Sequence, residues 1–290
     1  MDLEEVKKLV TDDTKRTEFH DLIADDLKKL LEAFDSEEFY SPSRFTFDDF
    51  ETQIKKCEEL VKRLCQIQAL LGYWGSEKQI NNYTYPIVTL SSAFKGSKEN
   101  KGLKVVRWHS IRLLFYYGGI SALAVGSFCK LYQLFDLRIT DPNQTSKKVS
   151  ICESLVAVNS RMDRFYKKLI ENKDHIAPFS AYLFHQIKPI LNEAIYLGPR
   201  LESLFDRFEI FYALDYINKS NEEIPEKSWG PLGRFVHKRY GYNPFQEIIE
   251  EAELHKEDWP PLEAGFFRGS YSRFQQICTS FQKRIQRFRF

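Results

Sequence analysis

Hydrophobic side chains recur along this chain at steps of three and four, the period that lays them on one face of a helix. Over residues 14–35 the set Phe19, Leu22, Ile23, Leu27, Leu30, Leu31 and Phe34 does so, with Asp and Lys between them, which predicts an amphipathic helix. Ser41, Pro42 and Ser43 interrupt the pattern. Thr46 and Asp49 then have the spacing of a capping box, opening a longer helix to about residue 73. Its apolar positions Phe47, Phe50, Ile54, Cys57, Val61, Leu64 and Leu71, missed only at Gln68, form a seam. Such a seam packs lengthwise on a partner: the preceding helix, in an antiparallel pair, or a second copy of the chain in a coiled coil.

A weaker pattern from Ile80 to Phe94 leads into a polar run at 95–102, the best lobe boundary, which divides the chain into an N-terminal lobe (1–97) and a C-terminal lobe (98–290) packed with it. The most apolar stretch follows, Ile111 to Phe135. Between Leu113 and Cys129 it has 17 residues without a charge, at the lower limit for crossing a bilayer. Gly118, Gly119 and Gly126 interrupt it and Arg112 and Lys130 flank it, so the reading is a buried hairpin: one helix, a glycine-rich corner, and a second helix carrying Phe128, Leu131, Leu134 and Phe135. The order Gly119, Ala122, Gly126, Phe128, Leu131 resembles half of a tetratricopeptide unit, with no second copy 34 residues away.

Beyond it, Cys152, Leu155, Val156, Met162, Phe165 and Leu169 predict a helix over 149–170, its end complemented by Lys167, Lys168 and Lys173. Pro178 suits a helix start, and Pro189 predicts a kink or a fresh start. Residues 201–217 are apolar around most of their circumference and should be central. Segments around Trp229 and Trp259 bind the C-terminal half together, a helix spans about 244–256, and a last one, about 271–288, aligns Phe274, Ile277, Phe281, Ile285 and Phe288. No strand alternation or hairpin signal stands out. The fold class is therefore all-α, a multi-helix array of antiparallel helical hairpins with one tetratricopeptide-like hairpin at the core.

Composition changes this picture little. The chain has 290 residues, 43% of them hydrophobic and 15% aromatic, which suits bulky helix-on-helix packing. Net charge is +1, so no global field draws it to nucleic acid or lipid. The ends differ: residues 1–40 hold 13 acids against 6 Lys and Arg, whereas residues 268–290 hold 6 Lys and Arg and no acid. Cys57, Cys65, Cys129, Cys152 and Cys278 form no CxxC pair, and the N-terminus does not read as a secretory leader, so reduced thiols and a cytoplasmic location are expected.

Candidate chemistry is sparse. No phosphate-binding glycine loop is present. Ser121 follows Gly119 as in a nucleophile elbow but lacks the closing glycine, and reads as packing. The six histidines have no zinc-site spacing; His109 and His185 are the most interesting and read as hydrogen-bonded in place. Asp206, Glu209 and Asp215 read as partners of Arg200 or Arg207, with acid–base work the lesser reading. No cofactor and no metal are expected, and the protein reads as non-enzymatic. The clearest surface signal is the basic C-terminal helix, where Arg268, Arg273, Lys283, Arg284, Arg287 and Arg289 interleave with aromatic residues. That set reads as a solvated face, as a surface for an acidic partner, or as a grip on nucleic acid.

Three segments, Leu113–Gly126, Trp229–Phe235 and Trp259–Ser270, together resemble a helical module of bacterial proteins of predicted anti-phage function. There it is appended to Alba-type DNA-binding or sirtuin-like effector domains. The resemblance carries packing motifs and no catalytic residues, and no effector or Alba-like domain precedes it here. It implies a sensor or adaptor of a bacterial defence system that binds a protein partner or effector subunit, with homo-oligomers possible and no membrane association. The alternatives are a nucleic-acid-binding module acting through the basic helix, and an enzyme whose site is assembled across helices from histidines and carboxylates.

Overall fold

The structure, a computed structural model, describes residues 2–37, 39, 45–94, 101–143, 147–159, 163–170, 176–220, 223–224, 229–237 and 243–286. The all-α expectation holds. In chain order the helices are α1 (Leu3–Thr11), α2 (Arg16–Phe34), α3 (Phe47–Trp74), α4 (Ile80–Ala93), α5 (Lys101–Ala124) and α6 (Phe128–Phe135). There follow α7 (Ile151–Asn159), α8 (Asp163–Leu169), α9 (Pro178–Ala194), α10 (Arg200–Ser220), α11 (Pro244–His255), α12 (Pro260–Glu263) and α13 (Tyr271–Ile285). Among the described residues the only sheet is a two-stranded antiparallel ribbon, β1 (Arg138–Thr140) against β2 (Lys148–Ser150), with Ile139 opposite Val149. No helix among them is long and apolar enough to cross a membrane.

Helix α5 is the axis of the molecule. From Val105 to Ala124 only Arg107 is not buried, because α3, α4, α6, α7, α9 and α10 all pack on it. Its largest contact is with α3, whose seam Phe50, Ile54, Cys57, Val61, Leu64 and Leu71 is buried inside the chain. That seam is therefore not a dimer surface. The Thr46–Asp49 box forms as read: Asp49 N donates to Thr46 Oγ1 at 3.2 Å, and Thr46 N to Asp49 Oδ2 at 2.9 Å. Gln68, the break in the seam, is buried too, its Nε2 donating to the Tyr83 carbonyl at 2.8 Å. Helices α2 and α3 touch through Asp26 and Arg63, 2.7 Å apart.

Gly118 and Gly119 do not make a corner. Helix α5 runs through both, and they let neighbours approach: a Cβ on Gly72 of α3 would lie 2.6 Å from the Gly118 carbonyl, and a Cβ on Gly119 would enter the ring of Phe208 on α10. The corner comes seven residues after Gly119, at Gly126, whose φ of +67° only glycine adopts cheaply, and α6 folds back from there. Lys130 on α6 then caps α3, its Nζ donating to the carbonyls of Leu71, Gly72 and Gly75 at 3.3, 2.6 and 2.9 Å.

Two other expectations change, and a third falls mostly outside the described residues. The helix over 149–170 is β2 followed by α7 and α8, with residues 160–162 outside the described set, as is Lys173. Helix α9 continues through Pro189 instead of restarting there. The proposed boundary falls mostly on residues 95–100, also outside the described set, while its last two residues already belong to α5.

Candidate functional site

The side chains that α5 buries are apolar with few exceptions, and Arg112 is the largest of these. Four residues on, Tyr116 shares its face. Both look into a cleft of about 340 Å³ walled by α7 (Leu155, Val156), the start of α8 (Asp163), the start of α9 (Pro178, Phe179, Ser180), α10 (Glu209, Tyr212) and the segment from Trp229 to Gly233. Arg284 of α13 stands at its mouth, its guanidinium 5.2 Å from the Trp229 ring, while Tyr216 meets the same indole edge-on at 5.2 Å.

Glu209 is the polar centre of the inner wall. Ser180 Oγ donates to its Oε2 at 2.6 Å, Tyr116 OH to its Oε1 at 3.2 Å, and the backbone N–H of Arg234 to Oε2 at 3.2 Å. The same N–H donates to Ser180 Oγ at 2.8 Å. Such close approach of the backbone needs a glycine before it, since a Cβ on Gly233 would collide with Glu209 Oε2. Arg234 anchors this strip: its guanidinium lies 3.9 Å from the Phe184 ring and pairs with Glu202 at 2.5 Å and Asp206 at 3.4 Å. Burial pushes the Glu209 carboxyl up to about 8; the Ser180 hydrogen bond opposes it, and the nearby Asp206 charge adds to it. At neutral pH Glu209 is then chiefly the uncharged acid. Asp163 is also raised by burial, against the pull of Lys167 and Arg112.

Arg112 is 2% exposed. Its Nη2 donates to the Leu155 carbonyl at 2.6 Å and its plane lies 4.5 Å from the Phe179 ring centre. Its Nη1 is buried and meets no hydrogen-bond partner.

The carboxylates of α10 are not partnered as the sequence suggested. Arg207 pairs with Glu251 at 2.5 Å and Arg200 donates to the Ala124 carbonyl at 3.0 Å, both away from them. Asp206 meets Arg234, and Asp215 meets Lys219 at 3.1 Å. His109 is buried elsewhere, against Glu58 at 2.9 Å, with Tyr182 OH donating to the same Oε1 at 2.9 Å; His185 is exposed beside Phe184. Among the described residues no histidine lines the cleft, and no group of three His, Cys, Asp or Glu is arranged to hold a metal ion.

Of the basic residues singled out at the C-terminus, Arg287 and Arg289 lie outside the described residues. Arg273 faces the body, its Nε 2.5 Å from Asn218 Oδ1 and its Nη2 3.0 Å from the Asn218 carbonyl, closing the end of α10. Arg284 turns to Trp229. Arg268 and Lys283 are exposed, Arg268 on a left-handed turn (φ +59°) between Phe267 and Gly269. The structure thus brings one of these residues, Arg284, into the cleft. Sequence reasoning passed over Arg112, which it took for the edge of an apolar run.

With the geometry in view, the chain was compared with protein-family models, curated proteins and solved structures. It matches none of them. Of the three segments that carry the resemblance, 113–126 lies mostly in the second half of α5, 229–235 contributes Trp229, Pro231, Leu232 and Gly233 to the cleft wall, and 259–270 contains the buried Trp259.

Proposed function

We propose that this protein is a non-enzymatic recognition module, the sensor of a bacterial defence complex, and that it senses by admitting a small molecule to the cleft beneath Trp229. One observation carries this reading: Arg112 lines that cleft, and its buried Nη1 has no acceptor from the protein. An enclosed donor without a partner costs free energy, about 1–3 kcal/mol and more when charged, and a ligand that supplies the acceptor recovers it. Apolar side chains of Leu155, Val156, Ile176, Phe179 and Leu232 stand there beside convergent polar groups, the combination that fixes a small molecule in place. Glu209, Ser180, Tyr116 and the Arg234 backbone spend their hydrogen bonds on one another, an arrangement that holds a shape in place. The sensor role itself comes from the resemblance carried by residues 113–126, 229–235 and 259–270.

Native mass spectrometry of the protein purified gently from its host tests the proposal. A small-molecule adduct is expected on the wild type, lost in Val156→Trp, which fills the cleft from α7. Identical spectra for the two proteins would refute it.

A further inference from the structure

The walls of this cleft narrow the chemistry of what it admits. A guanidinium keeps its charge at every pH a cell reaches. Arg112 is buried with that charge, and the groups it touches are a neutral carbonyl and an aromatic face, while Asp163 acts on it only from beyond ion-pair distance. No carboxylate among the described residues lies within ion-pair distance of it. Leaving a buried charge uncompensated costs several kcal/mol, so the site gains most from an anion. Glu209, mostly neutral at pH 7, does not repel one, and Arg284 at the mouth adds a second positive charge.

The number of donors separates the anions. A phosphate dianion presents three strongly accepting oxygens and twice the charge, and so calls for more donors than a carboxylate does. The inner wall offers one unengaged nitrogen, because Nη2 is held by Leu155, and the Ser180 and Tyr116 hydroxyls are hydrogen-bonded to Glu209. Tyr212 OH donates to the Cys152 carbonyl at 3.3 Å. One open guanidinium nitrogen suits a single-charge group. Val156, Ile176, Phe179 and Leu232 supply an apolar enclosure for the rest of the molecule, and Trp229 covers it.

We propose that the cleft binds a small carboxylic acid, its carboxylate on Nη1 of Arg112 and its apolar body between Val156, Phe179, Leu232 and Trp229. This rests on the cleft being the recognition site.

Isothermal titration of the full chain with phenylacetate, phenylacetamide and benzyl phosphate is the test. Phenylacetate should bind about tenfold or more tightly than the amide, the share of one charge-assisted hydrogen bond, and more tightly than the phosphate. Arg112→Gln should abolish the difference between acid and amide. Arg112→Lys, which keeps the charge should the glutamine variant fail to fold, should shrink it. Equal binding of acid and amide, tighter binding of benzyl phosphate, or no heat from any of the three at millimolar concentration overturns the carboxylate assignment. If it falls while Val156→Trp still sheds the native adduct, the recognition cleft stands with a different ligand; if the adduct persists as well, both fall.

Discussion

Glu209 shows how one side chain can set the pH response of the whole fold. Folded, it keeps its proton to about pH 8; unfolded, it gives it up near 4.5. Between those values the folded chain holds one more proton than the unfolded chain, so stability falls as pH rises, by up to about 1.4 kcal/mol per pH unit. The contribution is whole below pH 4.5 and gone above pH 8. Asp163 and Asp215, also raised by burial, act in the same direction. Urea denaturation across this range should therefore show a midpoint that drops with pH in the wild type and is flatter in Glu209→Gln, the neutral isostere. Unchanged pH dependence in the variant would mean that Glu209 is charged in its pocket. None of this was legible from the sequence, where Glu209 is one acid among several on an apolar helix. What sets it apart is Gly233, whose missing Cβ admits the Arg234 backbone, and Gly233 belongs to a segment 24 residues further on. A contact between distant segments leaves no trace in local periodicity.

At the scale of elements the sequence was far more informative, since a buried helical face must repeat at its own period. Helices α2, α3, α4, α10 and α13 fall where their apolar spacing put them. The misses share a cause: periodicity reports which face is buried, not where the backbone turns. Gly118 and Gly119 looked like a corner because glycine weakens helices, yet here they are close-contact positions. The β1–β2 ribbon was invisible because three-residue strands are too short to alternate, and it also took the first turn of the helix expected from residue 149. The contact at Gly119 gives a sharp prediction. Alanine there gains about 1 kcal/mol of helix propensity but drives a methyl into Phe208, whose ring is wedged among Phe115, Tyr116 and Phe135. Overpacking of this kind costs about 1–3 kcal/mol, so Gly119→Ala should be net destabilising in chemical denaturation. Adding Phe208→Leu should recover part of the loss in a double-mutant cycle, and strict additivity of the two would argue against the contact.

The molecule as a whole is layered around α5. Helices α3, α4, α6, α7, α9 and α10 surround it, and the α11–α13 region closes over α10 through Trp259, Phe211, Phe267 and Phe274. No part of α5 between Ile111 and Leu123 can reach water without moving several neighbours at once. Its amides should then exchange with deuterium only through global unfolding, while those of α1 exchange through local opening; similar rates in the two would contradict a central α5. The same layering sorts the sulfur. Cys57, Cys65, Cys152 and Cys278 are buried, with thiols pushed well above their ordinary range by burial, and Cys129 alone is exposed. Thiolate character and access govern alkylation, so a maleimide dye should modify the native protein once, at the start of α6. The wild-type chain thus brings its own attachment point for a fluorescent label, on a helix that contributes no residue to the cleft, so a single dye can be placed without engineering a cysteine-free background.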